Sequence, residues 1–425
     1  MAFIKHKRLF VRADSGYEPF LVDNEFFLTA DLADVINANN GNFSYEEYVA
    51  AIKYPLSIRV CRVYLLNDDE SIFKDISEYV ISGNLSFKFA KGQTRSGNLT
   101  LFNHSKIFNP HPINGLLWDG KKLRIDMGLY FNRTVYWKKC GIYLMKNPEI
   151  NIEDETVSIQ IYDKYAGLDG TVGGKRANVF KISVGTNVKQ AIQLCLSETN
   201  YNGKCYDNKP IIFPSIYNSE VTPYTINKTA GNMGEIPIEL AKMISCDIQY
   251  NDTGNLTISR DSDDVNMDYA PIAWFFKNND LTCISPILSY DYSDVPNIVF
   301  VTGAIENGKQ YKGSFTNKNP RSKNNIMVSP PNVLSIDDSN IIGDKLCEDR
   351  AKYEYSAASR ANLKLSFQSV FIPHLMPNDI FIWDNEQQNI KNEKFVISDI
   401  SYNLVDGSPM NISAANLNEV TTYGL

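Results

Sequence analysis

Asp252-Thr253-Gly254 is the tripeptide around which aspartic proteases are built. That chemistry needs two such carboxylates facing each other and sharing a proton. The chain carries the tripeptide once. It falls between Cys246-Asp247-Ile248-Gln249-Tyr250 and Leu256-Thr257-Ile258, where the spacing predicts a β-hairpin with Asp252 in its turn. Asp261-Ser262-Asp263-Asp264 offers oxygens for Ca²⁺ but lacks the glycine and the distant glutamate of an EF-hand loop. Gly170-Thr171-Val172-Gly173-Gly174-Lys175 lacks the spacing and the following Ser/Thr of a phosphate loop, and reads as a turn. Four histidines, His6, His104, His111 and His374, form no HExxH pair and no Cys/His cluster. His104 and His111 flank Pro110 in a solvated loop. Seven cysteines show no CxxC spacing, which fits a reducing compartment and small core residues. Cys195 and Cys205 are the nearest pair. Carboxylate pairs for glycoside hydrolysis leave no mark in sequence spacing. The residues therefore predict no catalytic site, no cofactor and no metal.

Partners are bounded by charge. The formal net charge is -7, and no long basic run exists. Lys5-His6-Lys7-Arg8 is too short to make a nucleic-acid footprint, so no sequence-specific nucleic-acid binding is expected. No run of 18 apolar residues occurs, so no membrane-spanning helix is expected. The segment after Met1 has no apolar stretch of secretory length, which predicts a chain made in a cytoplasm.

The elements that must position these residues are mostly strands. Aromatic residues make up 12% of the chain, and Tyr and Phe lead them, as strands favour. Residues 1–55 read as an N-terminal arm, with a capping box at Ser44-Tyr45-Glu46-Glu47 and Pro55 ending the helix. Residues 56–168 alternate with a period near two, as in Ile58-Arg59-Val60-Cys61-Arg62-Val63-Tyr64 and Val157-Ser158-Ile159-Gln160-Ile161-Tyr162. Residues 169–340 mix helices with a hairpin, and 301–341 read as loop-rich. Helices are expected at 188–196, capped by Thr186 or Asn187, and at 235–244. Residues 341–425 begin with a helix and return to strands.

Certain runs carry a resemblance. Ile81-Ser82-Gly83-Asn84-Leu85 and Arg95-Ser96-Gly97-Asn98-Leu99-Thr100-Leu101 precede Leu117-Trp118-Asp119-Gly120-Lys121-Lys122-Leu123. Met127-Gly128-Leu129, Cys140-Gly141-Ile142-Tyr143 and Ile161-Tyr162-Asp163-Lys164 follow. Late in the chain stand Met376-Pro377-Asn378-Asp379-Ile380 and Gly407-Ser408-Pro409-Met410. In this order they resemble the baseplate hub proteins of tailed phages and related contractile injection systems. The positions carrying the pattern are Trp118, Gly120, Gly128, Gly141, Asp163, Pro377, Asp379, Gly407 and Met410. Asn378 stands where the family has glycine; asparagine tolerates the left-handed region, so the turn survives.

The resemblance implies an α+β, mainly β chain. Two antiparallel β-barrel-like tube domains, N- and C-terminal, would be separated by α+β insertion domains. It implies a homotrimeric ring in the virion, joining the tail tube protein to baseplate or tail-tip proteins. The ring would line the channel for DNA and the tape-measure protein. Asp68, Asp69, Glu70, Glu153, Asp154 and Glu155 are candidates for an acidic lumen. Two other readings stay open. One is a receptor- or carbohydrate-binding tail protein using Trp118, Trp137, Trp274 or Trp383. The other is a tail-associated cell-wall hydrolase.

Overall fold

The computed structural model describes residues 21–22, 26–27, 45–54, 58–109, 115–176, 179–198, 207, 209–228, 231–244, 246–259, 272–277, 282–290 and 292–417. Lys5-His6-Lys7-Arg8, Ser44, Pro55, Pro110, His111, Cys205 and Asp261-Ser262-Asp263-Asp264 lie outside them. The described residues are mainly β, with four α-helices.

One sheet of 13 strands dominates. The first half is β1 (Ile58–Leu66), β2 (Ile72–Asp75), β3 (Val80–Lys88), β4 (Arg95–Phe102), β5 (Lys122–Phe131), β6 (Thr134–Asn151) and β7 (Thr156–Asp163). The second half is β8 (Trp274–Lys277), β9 (Cys283–Tyr290), β10 (Leu363–Ser369), β11 (Ile380–Asn385), β12 (Ile390–Asn403) and β13 (Met410–Asn416). Alternation builds them: Val157, Ile159 and Ile161 of β7 are buried, while Ser158 and Gln160 between them are exposed. The order is β9-β10-β13-β12-β3-β4-β7-β6-β5-β1-β2, and β11 pairs with β12 and, in parallel, with β8.

The expectation of two separate barrels needs correcting. The sheet is not closed into a barrel, and both β blocks belong to it. The reason is the length of β12. Its early residues pair with β11, and its later ones, Asp399 to Asn403, pair with Lys88 to Asn84 of β3. That seam merges the two blocks behind one core. Leu85, Leu99, Ile125 and Ile159 from the first half share it with Phe276, Phe367 and Trp383 from the second.

The helices are α1 (Tyr45–Lys53), α2 (Val188–Glu198), α3 (Glu235–Met243) and α4 (Asp344–Asn362). Tyr48, Ala51 and Ile52 of α1 are buried in the large core, and Tyr48 Oη lies 2.9 Å from His374 Nδ1. Asn187 supplies the cap of α2, its Oδ1 accepting from Gln190 N at 3.2 Å. Helices α2 and α3 pack with the hairpin of Asp247–Tyr250 and Leu256–Ser259 around a second core.

The loop-rich reading of 301–341 is also corrected. Ile298–Glu306, Lys309–Thr316 and Val333–Asp337 form a three-stranded sheet that packs against α4. The turn between the first two is Asn307-Gly308, with φ +54° and +80°. Two successive positive φ values suit a tight hairpin, and Asn-Gly is its strongest short signal. Helix α4 sits very close: a Cβ added at Gly313 would stand 2.3 Å from Glu348 N.

Candidate functional site: a charged junction at the hairpin turn

The turn at 251–255 is built by one side chain. Asn251 Oδ1 accepts from Thr253 N at 3.1 Å and Asn255 N at 2.8 Å. Gly254 has φ +78°, and a Cβ there would lie 2.6 Å from Ile142 Cδ1 of β6. Only glycine fits both demands. The turn therefore reaches into the large sheet.

At its tip Asp252 is buried. Arg95 Nη2 of β4 meets Asp252 Oδ1 at 2.5 Å, and Lys138 Nζ of β6 donates to Oδ2. Burial opposes the charge on Asp252, but Arg95 and Lys138 more than offset it and hold the carboxyl below its usual range. Among the described residues no second carboxylate faces Asp252 as the protease geometry requires; its oxygens meet Arg95 and Lys138.

A second set of charges lies beside the first. Lys164 is fully buried, and its Nζ lies 2.6 Å from both Glu70 Oε1 and Asp207 Oδ2. It also donates to Gly254 O at 2.9 Å. Lys209 reaches Glu70 Oε2 and Thr253 O, each at 2.5 Å, and Lys122 approaches Glu70 Oε1 at 3.0 Å. Glu70, read as a lumen candidate, is thus an inward partner of three lysines. Glu153 and Asp154 do remain exposed.

Asp163 closes β7 beneath Arg95. Its Oδ2 accepts from Thr94 N at 2.7 Å and Arg95 N at 2.9 Å, and its Oδ1 accepts from Tyr165 N at 2.9 Å. Burial outweighs these donors and pushes the carboxyl up to about 6. Burial also pushes the Cys140 thiol up to about 12, so it stays protonated and unreactive. The network ties strands β4, β5, β6 and β7 to the hairpin turn.

Glu70 gives the junction an acid limit. Burial works against its ionised form, yet Lys164, Lys209 and Lys122 draw it from 4.5 down to about 2. Its folded value lies below its unfolded one. Its contribution to stability is therefore present above pH 4.5 and lost as the pH falls toward 2. Asp163 works in the opposite sense: its contribution is full below pH 3.8 and is lost as the pH rises through about 6. Urea titrations across pH 2 to 5 should show less acid destabilisation in Glu70→Gln than in the unaltered chain. Equal slopes would exclude this role.

Of the pattern positions, the fold brings Gly141 and Asp163 to the junction. Gly141 has φ +126°, and a Cβ there would lie 2.7 Å from Arg95 Nη1. The others lie elsewhere. Gly120, φ +86°, donates its N–H to Met145 O at 2.8 Å. Trp118 beside it is half exposed, with Lys121 Nζ 4.5 Å above the ring. Gly128 lies opposite Trp137 in the β5–β6 pair. Pro377 precedes Asn378, whose φ is +79°, and Asp379 Oδ2 accepts from Met376 N at 2.9 Å. Gly407 lies in open space, and Met410 is buried at the start of β13. Trp274 and Trp383 are buried.

Arg95, Lys138, Lys164, Asp207 and Lys209 went unrecognised as site residues in the sequence. Two of them had a signal. Lys138 shares its strand face with Tyr136 and Cys140, and Arg95 shares its face with Leu99 and Leu101. A cation in phase with a buried stripe demands a buried anion. Among the described residues, no group of three or more His, Cys, Asp or Glu could hold a metal ion. No helix among them is long and apolar enough to cross a membrane.

No family model matches the chain, and no curated protein matches it. Solved structures do share its fold. The 43 kDa tail protein of prophage MuSo2 from Shewanella oneidensis aligns over 85% of this chain and 99% of its own, with a TM-score of 0.57 and 10% identity. A tail protein from Neisseria meningitidis MC58 aligns over 86% and 98%, with a TM-score of 0.59 and 8% identity. The prophage tail protein gp18 from Listeria monocytogenes EGD-e aligns over 84% and 95%, at 0.51 and 10%. At these identities the likeness is one of fold, and the fold is that of solved tail proteins.

Proposed function

We propose that the chain is a structural baseplate hub of a phage-type tail and not an enzyme. The observation that carries this reading is a fold shared with tail proteins along nearly their whole length. Three copies would form a ring in the virion, after assembly in the host cytoplasm. Each half of the 13-stranded sheet would supply one barrel-like wall, so three chains would present six walls to a sixfold tube. The ring would join the tail tube protein to other baseplate or tail-tip proteins. Its opening would pass DNA and the tape-measure protein during genome ejection. Exposed acids such as Asp68 and Asp69 would repel phosphate at such a channel.

The charged junction supports this reading by its chemistry. Its ions are mostly buried and paired, which suits a stiff joint between a wall and an insertion. The carbohydrate-binding alternative would rely on Trp118, but Lys121 covers one face of that ring. Light scattering of the purified chain, with negative-stain images of the same sample, tests the proposal. A ring of three copies is the expected result. A monomer that binds glycan or cleaves peptidoglycan would overturn it.

A further inference from the structure

Strand β6 runs for 18 residues and carries two unlike surfaces at its ends. Its far end turns back into β7 through Asn151-Ile152-Glu153-Asp154-Glu155. Asn151 Oδ1 accepts from Glu153 N at 3.0 Å and Asp154 N at 3.2 Å, and Asn151 Nδ2 donates to Asp154 Oδ2 at 2.6 Å. Glu155 Oε2 is tied to His104 Nδ1 at 2.5 Å. This held turn presents Ile152, 86% exposed, among three acids.

The near end of β6 lies in a basic face. The register places Lys139 opposite Asp126 of β5, and Asp126 opposite Arg62 of β1. Arg124 Nη2 pairs with Asp126 Oδ2 at 2.9 Å, so three cations surround one carboxylate. Arg62 and Lys139 are exposed. The Arg62 guanidinium lies 3.8 Å over the Trp137 ring, beside Val60.

The two surfaces are complementary in charge, and each adds an apolar group. They cannot meet within one chain. Lys139 and Ile152 lie on the same hairpin, separated by roughly 40 Å of extended strand. We propose that the acidic tip at Ile152 of one copy docks on the Arg62–Trp137–Lys139 face of a second copy. Glu153 and Asp154 would meet Arg62 and Lys139, and Ile152 would cover Trp137 and Val60. Such a contact uses different patches on the two partners. It therefore repeats from copy to copy until it closes or runs on. It rests on the charge layout and does not require the tail reading.

Charge reversal of the full chain tests it by light scattering at low salt. The unaltered chain should show a mass above that of one chain. Glu153→Lys with Asp154→Lys should fall to the single-chain mass, and so should Arg62→Glu with Lys139→Glu. In an equal mixture each variant can dock only on the other, so the mixture should regain a mass above that of one chain, which a folding defect in either could not produce. Ile152→Ser, at a site that packs on nothing, should weaken association several-fold without changing the thermal midpoint. A single-chain mass for the unaltered protein, or mixtures that fail to reassociate, would overturn the contact. Rings that persist in both reversed variants would overturn it too, while leaving the ring reading intact.

Discussion

Asp252→Ala is expected to lower the free energy of unfolding by about 3–5 kcal/mol, the usual cost of removing one partner from a buried ion pair. The loss is large because two cations depend on this carboxylate. Arg95 and Lys138 are both buried, and each closes on one of its oxygens. Without Asp252 they stay in a buried setting and lose the carboxylate that meets both of them. Urea denaturation of the full chain reads the change. Asp252→Asn should behave similarly, since it keeps the volume and loses the charge. Adding Arg95→Met and Lys138→Met to Asp252→Ala should recover much of the loss, because a well-packed apolar replacement removes the uncompensated charges. A loss below about 1 kcal/mol for Asp252→Ala, the range of exposed pairs, would mean that water reaches this junction.

How much of this could be read from the sequence divides along one line. Which face a side chain takes was legible; which neighbour it meets was not. The strands of 56–168 follow from alternation, and their buried residues are the alternating ones. Helices α2 and α3 are expected close to their observed ends. The seam was not legible. Asp399 pairs with Lys88 across more than 300 positions, and periodicity cannot choose between β3 and a closed second barrel. The sheet at 298–337 was missed for a different reason. Asparagine, lysine and proline around 317–331 are turn chemistry that masks the two flanking strands, although the Asn307-Gly308 pair is itself a hairpin signal.

The site repeats that division. Asp252-Thr253-Gly254 was placed correctly in a turn, and Asn378 does occupy the left-handed region. A polar turn reads as solvated, yet this one enters the sheet because Arg95 and Lys138 wait there in phase with the core. Glu70 shows the same limit. As a member of Asp68-Asp69-Glu70 it looked like surface charge, and only Lys122, Lys164 and Lys209 reveal its direction. Acid clusters in sequence carry no sign of which member turns inward.

Trp383→Ala is expected to cost about 3–5 kcal/mol, and Trp118→Ala less than about 0.5 kcal/mol. Both tryptophans sit beside turns and offered the same aromatic surface to a sequence reader. Trp383 is 2% exposed, while Trp118 is 48% exposed. The Trp383 ring lies 5.0 Å from Phe367 and 6.1 Å from Phe276, and its Nε1 donates to Gln388 Oε1 at 2.9 Å. Its removal leaves a cavity among rings that rigid strands hold in place. The location of the loss is as telling as its size. Trp383 lies in the second half of the sheet, but its core continues through the β12–β3 seam into Leu85 and Leu99. Hydrogen exchange should therefore report faster opening of β4 and β7 in Trp383→Ala, although neither strand touches the substituted position in the sheet order. Protection of β4 and β7 unchanged from the unaltered chain would mean that the two halves unfold independently.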